Sequence, residues 1–184
     1  MMYRAIATLL ILLVSITTPF DSGSNTRAND DLIKVEVMTL LLTEGQGRGV
    51  VLVLKPEQAA PAGREAAPPR VLALEIGFEE ARSIGVAFEK IAFPRPLSHD
   101  LMKKIIDEYG GTVSDCVITK MENSTYYAEL HLKRAGRQIT VDCRPSDAIA
   151  LVMRSSSPIF VKRSVMEQYG VNPNAQKTER LPAT

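Results

Sequence analysis

The spacing of hydrophobic residues changes several times along this chain, and each change marks a predicted element. Ile33, Val35 and Val37 alternate with Lys34, Glu36 and Met38, the two-residue period of a half-buried strand that Thr39 to Leu42 can extend. A Gly-punctuated turn, Glu44 to Gly49, leads to Val50-Val51-Leu52-Val53-Leu54, a continuous apolar run that reads as a buried strand. Pro56 to Arg70 holds four Pro, five Ala and one Gly with no apolar period, so it reads as an extended surface loop joining two strands. Val71 to Ile76 is the next strand, closed by Gly77.

From Phe78 the period becomes helical. Phe78, Ala81, Ile84, Gly85 and Phe88 recur at three- and four-residue steps, with Glu79, Glu80, Arg82 and Glu89 on the polar side, and Pro94 and Pro96 end the segment. Ser98 is a good N-cap for a second helix, with Asp100 in its first turn; Leu101, Ile105 and Tyr109, joined by Met102 and Ile106, form its predicted buried stripe. Gly110-Gly111 stops it. Three strands follow, Val113 to Met121, Tyr126 to Lys133 and Gln138 to Cys143, with turn residues Glu122-Asn123-Ser124 and Ala135-Gly136 between them, which predicts an antiparallel meander. Pro145 opens a third helix, and Ala148 to Met153 is apolar on nearly every side, so this helix should be central. Pro158 to Val161 is a short strand, Ser164 to Tyr169 a last helical turn or two, and residues 172–184 a polar tail. The fold class is therefore α+β: a mixed or antiparallel sheet containing a three-stranded meander, packed against three to four helices.

The first residues do not fit that globule. Arg4 precedes a 12-residue apolar run, Ala5 to Ile16, ended by Thr17, Thr18 and Pro19. Such a run is short for a bilayer span and suits a secretory leader, so residues 1–28 read as a signal peptide and the protein as exported, periplasmic or secreted. Cleavage is compatible with Ser22 and Ser24 or with Thr26 and Ala28, and an uncleaved membrane anchor stays open. No Cys lies near the segment, which excludes a lipoprotein anchor.

Composition narrows the function. The 184 residues carry 22 Lys plus Arg and 21 Asp plus Glu, a formal charge of +1. Cutting after Ala28 removes Arg4, Arg27 and Asp21, leaving 20 of each sign. A domain so balanced is not held on nucleic acid by bulk electrostatics, and a phosphate substrate would need local charges or a metal. Two Cys invite a disulfide in an oxidising compartment. Cys116 and Cys143 lie on the outer strands of the meander, roughly 10 Å apart across the middle one and beyond the ~7 Å Cα limit, so two free thiols are expected.

The meander register brings two carboxylates together. If Ala135-Gly136 is a two-residue turn, Arg134 opposes Arg137, Glu129 opposes Asp142 and His131 opposes Thr140, while Ala128, Leu130 and Leu132 share the other face with Ile139 and Val141 as core. Facing carboxylates destabilise by roughly 0.2–1 kcal/mol unless a cation sits between them. Arg144 or a metal at Glu129 and Asp142 could play that part; solvated surface carboxylates are the plain alternative.

Three stretches carry a more specific pattern: Phe93-Pro94-Arg95-Pro96-Leu97-Ser98-His99-Asp100-Leu101, Tyr126-Tyr127-Ala128-Glu129-Leu130, and Asp142-Cys143-Arg144-Pro145-Ser146-Asp147-Ala148-Ile149-Ala150-Leu151. In this order and spacing, with Gly77 and Glu80-Ala81 before them and Pro158 to Val161 after, residues 32–171 closely resemble the bifunctional nuclease domain family. Ala73 and Glu75 stand where a Pro and a Trp are usual, Ser98 replaces a Thr, Cys143 a small residue, and the Pro56 to Arg70 loop is long. No acidic, His or Arg position of the motifs is lost. Many relatives look cytosolic, which sets the leader apart. The resemblance implies an α+β domain that often self-associates, with nuclease activity on DNA and RNA.

Phosphodiester hydrolysis needs a positioned water, neutralised phosphoryl oxygens and a protonated leaving oxygen. Carboxylates holding Mg²⁺ or Mn²⁺ beside an Arg and a His would supply all three. The motif offers His99, Asp100, Arg144 and Asp147 as catalytic candidates and Asp142 and Glu129 as metal ligands, without compact metal-ligand spacing. Each has a structural alternative: Asp100 and Asp147 as helix caps, Arg144 as a bridge to Asp100 or Asp142, His99 as a surface residue, and Glu80 as a helix-surface or interface residue. An exported, metal-dependent nuclease in which these residues converge is the leading expectation; a non-catalytic, oligomeric assembly module is the other.

Overall fold

The computed structural model describes residues 31–42, 49–57 and 70–173. The leader, most of the Pro/Ala-rich loop and most of the polar tail lie outside the described residues, and so do the readings made of them.

Among the described residues, seven strands form one open sheet in the order β3-β2-β1-β7-β4-β5-β6. The strands are β1 (Leu32–Leu42), β2 (Val50–Pro56), β3 (Leu72–Ile76), β4 (Gly111–Glu122), β5 (Thr125–Arg134), β6 (Arg137–Cys143) and β7 (Ile159–Lys162); the helices are α1 (Phe78–Phe88), α2 (Ser98–Glu108), α3 (Pro145–Arg154) and α4 (Arg163–Tyr169). β1 to β3 and β4 to β6 are two antiparallel meanders. β7 joins them, antiparallel to β1 and parallel to β4. The α+β expectation with a meander holds.

The continuous apolar run of β2 has its reason in the sheet, where β2 lies between β1 and β3 with Leu52 and Leu54 fully buried. α3 is as central as its sequence promises: Ala148, Ile149, Ala150 and Val152 have no exposed surface, and they pack with Cys116, Ile118, Ala128 and Leu130 of the second meander. Burying Ile149 or Val152 fully stabilises the fold by roughly 1.5–3 kcal/mol each.

Three apolar expectations are corrected. Leu101, Ile105 and Tyr109 are not buried; they are 49%, 49% and 70% exposed, because α2 packs on α3 and β4 through its other side. Ile139 and Val141 do lie on the helix face, opposite Leu132 and Leu130, yet they are exposed because β6 is the sheet edge. Phe78 and Phe88 are likewise half exposed, while Ala81 and Ile84 between them are buried.

The β5–β6 register is the expected one, with Arg134 opposite Arg137 and Glu129 opposite Asp142. Both cysteines are free, Cys116 buried and Cys143 partly so. Burial pushes the Cys143 thiol up to about 11 and that of Cys116 higher still, so neither is a ready nucleophile at neutral pH.

The Ala135-Gly136 turn has positive φ at both residues, 47° and 76°. That backbone suits the strand twist but strains an alanine, whose Cβ crowds its own carbonyl. Replacing Ala135 by Asn should raise stability by ~0.5–1 kcal/mol in urea unfolding, with activity unchanged. No gain would mean that the turn holds no such strain.

Candidate active site

Helix starts assemble the site. Gly77 precedes α1 in an extended conformation and carries no side chain, which leaves room for Glu80 to fold back over the helix start; a Cβ there would lie 2.2 Å from Glu80 Oε2. One turn further along α1, Ser83 is buried. The connection to α2 bends at Pro94 and Arg95, and α2 then begins with Ser98, His99 and Asp100. Leu97, not Ser98, is the N-cap of α2; its N–H donates to Asp100 Oδ2 at 2.9 Å, so the acidic residue closes the turn that Ser98 was expected to cap. α3 starts immediately after β6, with Arg144 as N-cap and Pro145 in the first position.

These starts meet in a cleft of about 530 Å³ lined by Glu80, Arg82, Ser83, His99, Met102, Arg144 and Asp147, among others. A chain of polar contacts crosses its floor. Arg144 reaches Glu80 Oε1 at 2.8 Å and Asp147 through two bonds, Nε to Oδ2 at 2.7 Å and an Nη nitrogen to Oδ1 at 3.1 Å. Asp147 Oδ1 faces His99 Nε2 at 3.3 Å, and His99 Nδ1 lies 2.9 Å from the Ser83 hydroxyl. A carboxylate only accepts, so in the neutral imidazole Nε2–H donates to Asp147 and Nδ1 accepts from Ser83. Exposure grades along this chain: the Arg144 side chain is 64% exposed, Asp147 26% and His99 10%. Hydrogen bonding to Asp147, with the Glu80 charge nearby, raises the Arg144 pKa further, so it is a permanent cation at the mouth.

The structure thus brings His99, Arg144, Asp147 and Glu80 together and leaves three candidates outside. Asp100 turns away from the cleft to Arg154, at the last turn of α3. Arg154 is itself buried, with an Nη nitrogen donating to the carbonyls of Ser83 at 3.2 Å and Ala150 at 2.9 Å. Glu129 and Asp142 alternate with helix-facing residues of β5 and β6 and so occupy the opposite face of the sheet. There His131 lies beside Glu129, with Nδ1 2.6 Å from Asp115 Oδ1 and Nε2 3.5 Å from Glu129 Oε2. The expected convergence of Asp142 with Arg144 and Asp147 is therefore corrected: consecutive strand residues point to opposite faces, and the sheet separates them. His99 is likewise no surface residue but a buried one. Glu80 pairs within the chain, and Arg144 bridges to Asp147 and Glu80 instead of Asp100 or Asp142.

Among the described residues no three His, Cys, Asp or Glu side chains are arranged to hold a metal ion. Glu129 and Asp142 supply two carboxylates, short of a first coordination sphere. Ser83 and Arg154 were missed by the sequence reading. A Ser inside an amphipathic helix gives no signal. A lone Arg at the end of an otherwise apolar helix does give one, because a buried guanidinium demands a carboxylate.

The bifunctional nuclease domain model matches residues 64–174, a span that includes every helix of the cleft. The chain belongs to the bifunctional nuclease domain family. An uncharacterized protein of Mycobacterium tuberculosis is 32% identical over 138 residues, covering 75% of this chain and 76% of that protein. Bifunctional nuclease 2 of rice (Oryza sativa subsp. japonica) is 36% identical over 88 residues, and Bifunctional nuclease 2 of Arabidopsis thaliana 31% over 103. These matches cover 46% and 53% of this chain but only 27% and 31% of the plant proteins.

The Asp100 pair makes the domain's stability depend on acid. Burial raises the Asp100 pKa, but hydrogen bonds from Arg154 and the Leu97 N–H outweigh it and hold the carboxyl below its ordinary value. Its contribution is therefore present above pH ~4 and lost as pH falls through the lowered folded value. Asp100→Asn leaves Arg154 buried without a counter-charge and should cost roughly 2 kcal/mol in urea unfolding at pH 7. The gap to wild type should shrink at pH 3; a pH-independent gap would contradict this account.

Proposed function

We propose that this cleft hydrolyses phosphodiester bonds in DNA or RNA. The observation that carries the reading is the Arg144–Asp147–His99–Ser83 chain on the floor of an open cleft, with its cation outermost. The guanidinium of Arg144 is the group a phosphodiester meets first, and its planar fork matches two phosphoryl oxygens. Asp147, held from behind by His99, accepts a proton from a water that attacks phosphorus. The new P–O bond forms as the bond to the leaving oxygen breaks, and the leaving oxygen takes a proton through solvent in the open cleft. His99 and Ser83 are positioning residues, since both ring nitrogens are already engaged. Family membership and the names of the plant relatives support the same chemistry.

Neutral net charge fits this arrangement, because one local cation acts on a transiently held strand. Divalent-metal dependence rests on the acidic motif residues alone. Export is supported by the Arg4 and Ala5 to Ile16 pattern. Self-association is supported by the exposed apolar stripe of α2.

Purified protein should cleave labelled single-stranded DNA or RNA, assayed with Mg²⁺, Mn²⁺ and EDTA. Arg144→Ala should lower kcat/KM roughly a hundredfold or more, as removal of a transition-state charge partner does. Its melting temperature should fall by only a few degrees, because exposed ion pairs contribute roughly 0–1 kcal/mol. A folded Arg144→Ala protein with full activity would overturn the site.

A further inference from the structure

We infer that Arg82 and Phe93 form a docking platform for an unpaired nucleobase at the mouth of the cleft. This rests on the nuclease reading and adds what holds the substrate. Arg82 lines the same cleft as Arg144 and Asp147, and its guanidinium carbon lies 5.9 Å from the centroid of the Phe93 ring. Phe93 is 41% exposed, so the ring that Arg82 leans on is itself open to solvent, and the half-exposed Met102 lines the cleft as well. Glu79, one turn earlier on the same helix, has Oε2 3.7 Å from an Nη nitrogen of Arg82.

Three physical points make this a platform for a base. A flat guanidinium beside an exposed aromatic ring offers the π-face and cation on which any base can stack, without reading its edge. Phe93 is followed by Pro94, whose ring restricts the backbone of the residue before it, so little freedom is lost when a ligand settles there. Arg82 shares the cleft with the Arg144 cation, so a base stacked on the Arg82–Phe93 pair belongs to a strand whose phosphates run toward Arg144. A base inside a duplex is already stacked on both faces and cannot lie on this ring. The site therefore takes single-stranded or unstacked nucleic acid.

The experiment compares wild type and Phe93→Ala on a single-stranded oligonucleotide and on the same oligonucleotide carrying one abasic residue at the scissile position. Loss of one stacking contact should raise KM about tenfold with kcat nearly unchanged. The abasic substrate should show the raised KM already in wild type and no further rise in the variant. Phe93→Tyr should restore wild-type behaviour, which separates stacking from any loss of folding. Equal KM for wild type and Phe93→Ala, or a penalty that adds fully to the abasic one, would overturn the platform. Binding of a 2-aminopurine dinucleotide, read by quenching of its fluorescence in wild type and its loss in Phe93→Ala, needs no turnover. Quenching without cleavage would therefore refute the nuclease reading and keep the platform, while cleavage without quenching would do the reverse.

Discussion

A guanidinium buried where three helices meet cannot be left without a counter-charge, and the placement of those helices answers to that constraint. Arg154 ends α3, takes the Asp100 carboxylate from the start of α2, and donates to the backbone of Ser83 in α1. Those are the helices that carry His99, Asp147 and Ser83. The Arg154 pair thus fixes the distances across which the cleft's own contacts form, and Asp100 contributes by placing its neighbour His99. Desolvating a charged pair is costly, and such a pair is weak evidence for net stability, but it is effective at holding one relative arrangement of helices.

The sheet imposes the second constraint. Because β5 and β6 alternate faces, a carboxylate one residue away from a helix-facing position is on the other side of the molecule. Asp142 and Asp147 are five residues apart in sequence and belong to different surfaces. Glu129, His131, Asp115 and Asp142 make a polar group on the sheet's open face, while Glu80, Arg144, Asp147, His99 and Ser83 make another among the helices. The second group lines a cleft with an exposed cation at its mouth.

The legible parts of the fold were those where period and turn chemistry agree. The Ala135-Gly136 turn, the alternation of β5 and the apolar surround of α3 each specify one arrangement, and the register of the second meander followed from them. The faces of α1 and α2 were misread for a shared reason. An apolar stripe such as Leu101, Ile105 and Tyr109 shows amphipathicity but not which side meets the domain's own core, and the face α2 turns to α3 carries His99 and Asp100. Of the candidate residues at helix starts, His99, Arg144 and Asp147 meet in the cleft, while Asp100, one position beyond His99, turns to Arg154 instead. Asp142 was misplaced because proximity in a motif was taken for proximity in space. Ser83 had no local signal at all: its partner stands 16 residues away, and only tertiary packing creates the contact.

The two polar groups lie on opposite sides of the sheet, and the chemistry belongs to the helix side. The most direct measurement is the nuclease activity of Asp147→Asn and Asp142→Asn proteins, each confirmed folded by its near-ultraviolet circular dichroism. Loss of activity in Asp147→Asn with near wild-type activity in Asp142→Asn is the result the account predicts. Full activity in Asp147→Asn, or loss confined to Asp142→Asn, would contradict it and move the site to the open face of the sheet.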